Sequence, residues 1–242
     1  MRRIVFPDPR HAGPEGIVAV GGDLRPETLL TAYRAGIFPW PHEGYPLLWF
    51  CPERRAILDF SELHIPESLA KARRKTSLTF SIDTAFEQVI HSCRSTPRPD
   101  QDGTWITPRM KAAYLELHRL GYAHSVEVRN EANELVGGLY GVSVDGVYSG
   151  ESMFHRVSNA SKLALLHLID HLRDRGADFI DIQQLTPHMA ALGAREIPRE
   201  AFLDRWKAAR ARGLTLFDPP AVPETALRRF FPFGPRTQNG SS

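Results

Sequence analysis

Two rhythms of apolar and polar positions run along this chain, and the switches between them mark its elements. In "RVSNASKLALLHLIDHLRDRG" (156–176), Leu165, Leu168, Ile169 and Leu172 recur at i, i+3, i+4 and i+7. That is one face of a helix, which Ser158, Asn159 or Ser161 can cap and Gly176 can end. Before it, "AHSVEVR", "ELVGGLYGVSV" and "VYSGESMF" read as strands joined by "NEAN" and "VDG", an antiparallel meander. After it, "ADFIDIQQL" (177–185) predicts a strand, and "TPHMAALGAREIPREAFLDRWKAARARG" (186–213) a helix with a basic end.

Upstream, "SLAKARRKTS" predicts a cationic helical stretch, "LTFSID" a strand and "AFEQVIHSC" a helix. A polar loop, "RSTPRPDQDG", precedes a helix from Pro108 to about Leu120. The first 60 residues differ: they are rich in Gly, Pro and aromatics. There a short strand-like run and a Gly-Gly turn lead into a helix that Pro26 can open and Gly36 can stop. A strand is expected at 56–60. The organisation read from these patterns is a small α+β unit over 1–62, a larger domain over 63–236 and a disordered tail over 237–242.

Composition narrows the class without changing this picture. Of the 242 residues, 42% are hydrophobic and 24% charged, ordinary for a soluble globular protein. The net charge of +2 gives no overall nucleic-acid footprint but leaves room for a local one. The two cysteines, Cys51 and Cys93, lack CxxC spacing, which favours a reducing compartment over a disulfide scaffold. The N-terminal apolar run is too short for a signal peptide, and no window reaches the roughly 20 apolar residues of a membrane span. The expected location is cytoplasmic, with no membrane partner. His167 and His171 have i, i+4 spacing but no further ligand set, so no metal is expected. There is no Walker loop, no GxSxG elbow and no Cys–His signature.

The candidate chemistry lies at polar residues inside apolar runs. Asp181 and Gln183 sit two positions apart in "DFIDIQQL", on one face of a regular strand. They are either locally satisfied polar groups at a strand end or a pair at the mouth of a cleft. In the second case Gln183 could hold an amine by its oxygen while Asp181 orients its nitrogen. Glu151, in "SGESMF", either pairs with Arg156 or reads a cationic group on a substrate. Gly150 beside it would let a ligand approach the backbone. Trp40 and Trp105 are core or interface residues, or together flank a base or a peptide end. Lys71, Arg73, Arg74 and Lys75 form a solvated face or meet phosphates; the clusters Arg54–Arg55 and Lys207, Arg210, Arg212 read the same way. "RVSNASK" carries no Gly-rich pyrophosphate loop, which argues against a coenzyme A donor.

Several stretches agree, in order from about residue 15 to 205, with one family. "GGDL", "AYRAGIFPW", "GTWIT", "AYLELHRLGYAHSVEV", "ELVGGLYGV", "GESMF", "NASKLALL" and "ID.Q" followed by "H.A.LGA.EI.R" resemble bacterial leucyl/phenylalanyl-tRNA–protein transferases. The resemblance implies an α+β protein: a small N-terminal α+β domain, then an N-acetyltransferase-like (GNAT-like) domain with a mixed sheet. It implies transfer of leucine or phenylalanine, and sometimes methionine, from aminoacyl-tRNA to proteins beginning with Arg or Lys, marking them for degradation. It implies no cofactor, and the chain is read as a monomer. Gln183 would position or activate the amine, with Asp181 orienting it or relaying its proton. Leu139, Leu165, Leu168, Leu172 and Ile180 would line the side-chain pocket. Trp40 and Trp105 would border the terminal adenosine or the acceptor peptide. Glu151 would face the acceptor's cationic end, with Gly150 and Ser152 beside it among the substrate-binding residues, and Lys71–Lys75 would meet the tRNA acceptor stem. The alternatives are a coenzyme A-dependent acyltransferase and a non-catalytic tRNA- or peptide-binding module, which would not need the Asp181–Gln183 pair.

Overall fold

The computed structural model describes residues 5–42, 44–96 and 104–219. The expected tail at 237–242 and most of the loop at 94–103 fall outside them. A single 3-10 turn at Pro9–His11 leads into β1 (Ile17–Val20), α1 (Pro26–Arg34), β2 (Phe38–Trp40) and β3 (Leu48–Phe50). Pro26 opens α1 and Gly36, at φ +72°, follows its end. β1, β3 and β2 pair in that order as a small antiparallel sheet.

β4 (Arg54–Asp59), α2 (Glu67–Lys75), β5 (Thr79–Ile82), α3 (Phe86–Ser95) and α4 (Pro108–Arg119) follow. The predicted meander is present as β6 (Ala123–Arg129), β7 (Leu135–Val144) and β8 (Val147–His155). Next come α5 (Ala160–Asp174), β9 (Phe179–Gln183), α6 (Pro187–Ala190), β10 (Arg195–Pro198) and α7 (Arg199–Ala211). The larger sheet has seven strands in the order β10-β4-β9-β8-β7-β6-β5. Its neighbours are antiparallel except β8 and β9, so the sheet is mixed. α5 packs across β6, β7 and β8, while α3 and α4 belong to a second apolar cluster that also takes in Leu29, Leu30, Phe38 and Trp49. The small sheet therefore shares its core with one side of the large one.

The single helix expected over 186–213 is corrected by the structure to a short helix, a strand and a longer helix. Two residues punctuate it. Gly193 has φ +94°, and a Cβ there would sit 2.1 Å from the Glu62 carbonyl oxygen, so only glycine fits. Pro198, whose ring fixes φ and lacks an N–H, then caps α7 at its first turn. The helical period in this stretch is real, but it belongs to α7 alone: Phe202, Leu203, Trp206 and Ala209 are its buried face.

Two irregularities shape the middle of the large sheet. β8 and β9 share only one paired position, Ser149 with Asp181, and then part. On β8, Gly150 pairs with Gly141 and Ser152 with Tyr140, so Glu151 is the extra residue of a bulge. On β9, Asp181 pairs with Ile57 and Gln183 with Ala56, so Ile182 is the extra residue of another. Bulges bend a strand and re-aim its side chains. Here they lie on two diverging strands, just beyond the point of separation.

Candidate active site

The gap between β8 and β9 opens into a cavity of about 490 Å³. Leu139, Leu165, Ile180, Ile182, Met153 and Met189 contribute apolar wall; Trp40, Trp105 and Phe38 lie at it from the N-terminal side and from the start of α4. Gly150, Glu151, Ser152 and Gln183 come from the two strand ends. Among the described lining residues Glu151 is the one carboxylate, and none is Lys or Arg. A side chain added at Gly150 would have only ordinary contacts, 3.8 Å to Asp181 and Ile180, so glycine here leaves open volume rather than relieving a clash.

Gln183 ends β9 with φ +64°, a left-handed conformation uncommon for a residue with a side chain. Together with the bulge at Ile182 it breaks the strand's alternation. Asp181 and Gln183 therefore do not stand side by side, as a regular strand would place them. Asp181 is buried with no exposure and points into the protein, while Gln183 lines the cavity. The two are linked through the backbone: the Gln183 N–H donates to Asp181 Oδ1 at 3.0 Å. This bond stabilises the left-handed turn that presents the carboxamide.

Asp181 has four acceptor positions, and all four are used. Oδ1 accepts from Arg55 Nε at 2.7 Å and from the Gln183 N–H; Oδ2 accepts from Arg55 Nη2 at 2.7 Å and from Ser149 Oγ at 3.0 Å. The Arg55 guanidinium is itself held between the rings of Phe38 and Phe202, 4.5 and 4.6 Å from their centroids. Arg55, expected on a solvated or phosphate-binding cluster with Arg54, is instead a buried half of a bidentate ion pair.

The Gln183 side chain is fixed by a different carboxylate. Its Nε2 donates to Glu151 Oε1 at 2.8 Å. Glu151 also accepts from Tyr33 at 2.7 Å (Oε1) and from Tyr114 at 3.1 Å (Oε2), and the two phenol oxygens lie 2.6 Å apart. Of the two readings of Glu151, the ion pair with Arg156 is not formed. Arg156 turns to the Leu135 carbonyl and Ser92 Oγ, because the bulge swings Glu151 toward the tyrosines. Burial pushes the Glu151 carboxyl up to about 7, against the pull of the Tyr33 and Tyr114 hydrogen bonds and with help from the nearby Asp181 charge. Burial, then the Glu151 charge, holds both phenols well above their ordinary range, so they keep their protons. The result is a carboxylate that changes charge near neutral pH, hydrogen-bonded to a carboxamide at the base of a largely apolar cavity.

Of the other expected site residues, Leu168 and Leu172 do not line the cavity; both are buried in the cluster under α5. Lys71, Arg73, Arg74 and Lys75 lie on α2, away from the lining residues, and Arg73 pairs with Asp170 of α5. His167 stacks on Phe80, and His171 is engaged with the Leu216 carbonyl. Sequence reasoning missed Tyr33, Tyr114 and Arg55. A signal existed for the tyrosines: each falls on the buried stripe of its helix, with Leu29 and Leu30, or with Met110 and Leu117, and a buried phenol needs a partner. Nothing in "ERRAIL" distinguishes Arg55 from Arg54.

Known proteins with similar sequences agree along the chain. A family model described as "Leucyl/phenylalanyl-tRNA protein transferase" matches residues 57–207, and one for the N-terminal domain of the same family matches residues 22–53. A leucyl/phenylalanyl-tRNA–protein transferase of Maridesulfovibrio salexigens is 50% identical over 200 residues, covering 83% of each chain. One from Chromohalobacter salexigens is 52% identical over 204 residues, covering 84% of this chain and 79% of the relative. The solved structure of L-PGS from Bacillus licheniformis aligns at a TM-score of 0.37 and 14% identity, over 71% of this chain and 58% of that one, too distant to inform the site.

Proposed function

We propose, on the premise that this chain belongs to the leucyl/phenylalanyl-tRNA–protein transferase family and is an aminoacyltransferase, that it moves leucine or phenylalanine from aminoacyl-tRNA to the α-amino group of proteins beginning with Arg or Lys. The modified acceptor would be a degradation substrate. We place the larger unit among N-acetyltransferase-like folds, on the strength of its single splayed parallel pair, β8 with β9.

The observation that carries this reading is the cavity's division. Its walls are apolar, which suits a leucine or phenylalanine side chain, whose burial is worth about 1.5–3 kcal/mol. Its one described carboxylate, Glu151, suits the cationic end of an acceptor. The reaction is aminolysis of an ester, giving an amide and a free ribose hydroxyl. A free α-amine has a pKa of roughly 7.7–8.0, so a useful fraction is already neutral, and what the protein must add is orientation and a destination for a proton. In this reading Gln183 holds the amine through the carbonyl oxygen of its carboxamide, whose nitrogen is tied to Glu151. Asp181 acts behind it, setting the turn on which Gln183 sits. Trp40 and Trp105 border the donor adenosine or the acceptor chain, and Lys71, Arg73, Arg74 and Lys75 meet acceptor-stem phosphates.

The test is direct. Radiolabelled leucyl-tRNA is mixed with the protein and an acceptor beginning in Arg; label should enter the acceptor, while acetyl-coenzyme A and lysyl-tRNA should give none. Transfer from acetyl-coenzyme A alone would replace this reading with a coenzyme A-dependent acyltransferase. Lysyl-tRNA reacting as fast as leucyl-tRNA would remove the apolar-pocket assignment.

A further inference from the structure

We infer that Glu151 is the group that takes the proton from the attacking amine, and that Tyr33 and Tyr114 share that proton in a closed ring of hydrogen bonds. The inference rests on the aminoacyl-transfer reading above and adds to it the identity of the proton acceptor.

The other polar groups near the amine are poor acceptors. Gln183 has no proton-accepting site that titrates near neutrality. Asp181 has none to spare, since its four acceptor positions are filled by Arg55, Ser149 and the Gln183 N–H, and it has no exposure to the cavity. The two histidines at the cavity, His155 and His188, come from the end of β8 and from α6, and no hydrogen bond to Gln183 is formed by either among the described residues. Glu151 is bonded directly to the Gln183 carboxamide. An amine held on the oxygen of that carboxamide is therefore one side chain away from the carboxylate.

Counting protons around Glu151 leads to the same group. Three oxygen–oxygen contacts close a ring: Tyr33 to Tyr114 at 2.6 Å, Tyr33 to Glu151 Oε1 at 2.7 Å, and Tyr114 to Glu151 Oε2 at 3.1 Å. With the carboxylate ionised, two phenol protons must serve three contacts. Tyr33 donates to Oε1, and the single Tyr114 proton is divided between its short contact to Tyr33 and its longer one to Oε2, so one contact always lacks a proton of its own. A third proton, placed on Oε2 and donated to Tyr114, completes the ring with every oxygen pair bridged. The ring thus has room for one more proton, at the oxygen not engaged by Gln183. A hydrogen-bonded ring of this kind polarises cooperatively, which suits a group that must take up a proton and give it back.

The step balances. The amine's lone pair forms the C–N bond as the carbonyl π pair moves to oxygen. The ammonium so formed gives its proton to Glu151. The carbonyl re-forms, the C–O bond to the ribose breaks, and the ribose oxygen leaves with the proton that Glu151 returns. An ester and a neutral amine become an amide and a hydroxyl, and Glu151 ends ionised as it began. The groups that face its carboxyl come from several sides: Tyr33 on α1, Tyr114 on α4, and Gln183 and Asp181 on β9, with Arg55 of β4 behind Asp181. Burial and the Asp181 charge raise the carboxyl and the hydrogen bonds lower it, with the balance near 7.

The experiment measures single-turnover transfer from saturating leucyl-tRNA to an Arg-initiated acceptor as a function of pH. Wild type should rise with pH in two steps, one from the acceptor amine and a lower one from Glu151. Glu151→Gln should slow the step by about 10²–10⁴-fold, the usual loss when positioned proton transfer is removed, and should abolish the lower step. Tyr114→Phe breaks the ring through which the proton is shared, so it should move the lower step. A Glu151→Gln protein that keeps both steps and loses only acceptor KM would overturn the inference and leave Glu151 as a recognition residue. If Glu151→Gln does not fold, the Tyr114→Phe profile decides: an unmoved lower step overturns the inference. Absence of any transfer by wild type would be a failure of the aminoacyl-transfer reading instead.

Discussion

Two arginine–aspartate pairs stand at opposite extremes in this molecule. Arg55 and Asp181 join β4 to β9, and their side chains are 1% and 0% exposed. Arg73 and Asp170 join α2 to α5, and both side chains are 42% exposed. The chemistry is the same, and each arginine comes from a short basic run. What differs is the surroundings. The first pair is bidentate, its guanidinium held between two aromatic rings and its carboxylate accepting from the Gln183 N–H. The second sits in water, where solvent screens the attraction and side-chain entropy opposes the contact. The difference teaches that a charge's role here follows from what it holds in place, and that the pair itself is weak evidence for either stability or function.

The largest effect should come from breaking the buried pair. Arg55→Leu leaves the Asp181 carboxylate buried without its partner, which typically costs about 3–5 kcal/mol. Denaturant unfolding should show that loss, and transfer should fall with it because the Gln183 turn loses its anchor. Arg55→Lys keeps the charge but cannot make the two-pronged contact, so it should recover only part of either property. A fully stable, fully active Arg55→Leu protein would erase the contrast between the two pairs.

The next change separates what the pair holds from the holding. Gln183→Ala should cost transfer on the order of 10²–10⁴-fold with little change in melting temperature, since the side chain lines a cavity. Combined with Asp181→Asn, the losses in transfer should be non-additive, the double variant being little worse than the worse single one. Additive losses would mean that Asp181 acts on the reaction by a route other than the Gln183 turn.

Glu151 gives a smaller effect, of the opposite sign. Its carboxyl is raised from 4.5 to about 7 in the fold. The native state therefore binds the proton more tightly than the unfolded chain, and the contribution to stability is fully present below about pH 4.5 and lost as pH rises to about 7. Above pH 7 wild type carries a charge that burial disfavours. Glu151→Gln removes that charge, so at pH 8 it should be more stable than wild type by about 1–3 kcal/mol, and at pH 4 the difference should vanish. Melting curves of the two proteins at both pH values check the sign. Equal differences at both would mean that burial does not raise this carboxyl.

Much of the molecule could be read from its sequence because it rests on local rules. The meander, the α5 stripe with its Gly176 stop, and the helix opened by Pro108 all follow from period and punctuation. The strand β10 escaped because a four-residue edge strand between Gly193 and Pro198 carries too few positions to show a period of two. At the site, Gln183 and Glu151 stood out as polar residues in apolar runs, and Trp40, Trp105, Leu139 and Leu165, named through the family resemblance, are among the residues that line the cavity. Leu168 and Leu172 share the stripe of Leu165, but a stripe says which face is buried and not which part of it borders a cavity. Tyr33 and Tyr114 lie 81 positions apart in sequence and meet only through the tertiary fold. Arg55 and Asp181 are separated by 126 positions. The bulges at Glu151 and Ile182 depend on the pairing of whole strands, and it is these that turn two side chains out of strict alternation toward each other.

The exposed pair should give the smallest effect on stability and is informative for that reason. Arg73→Ala should change unfolding free energy by no more than about 1 kcal/mol, and by less at high salt. The residue's use lies elsewhere if the α2 run meets tRNA phosphates. Replacing Arg73 and Arg74 together with alanine should then raise KM for leucyl-tRNA and flatten its dependence on salt, by about 0.9 log units per decade for each duplex phosphate no longer neutralised. A minimal leucyl-adenosine donor, which has no acceptor stem, should react as before. Asp170 adds a check of opposite sign. In the free protein it draws on the charge of Arg73, and an approaching phosphate must compete with it. Asp170→Asn should therefore lower KM for leucyl-tRNA and leave the leucyl-adenosine reaction unchanged. If the double arginine variant and Asp170→Asn both leave KM and the salt slope where they were, α2 presents only a solvated face, and the exposed pair holds nothing that the reaction uses.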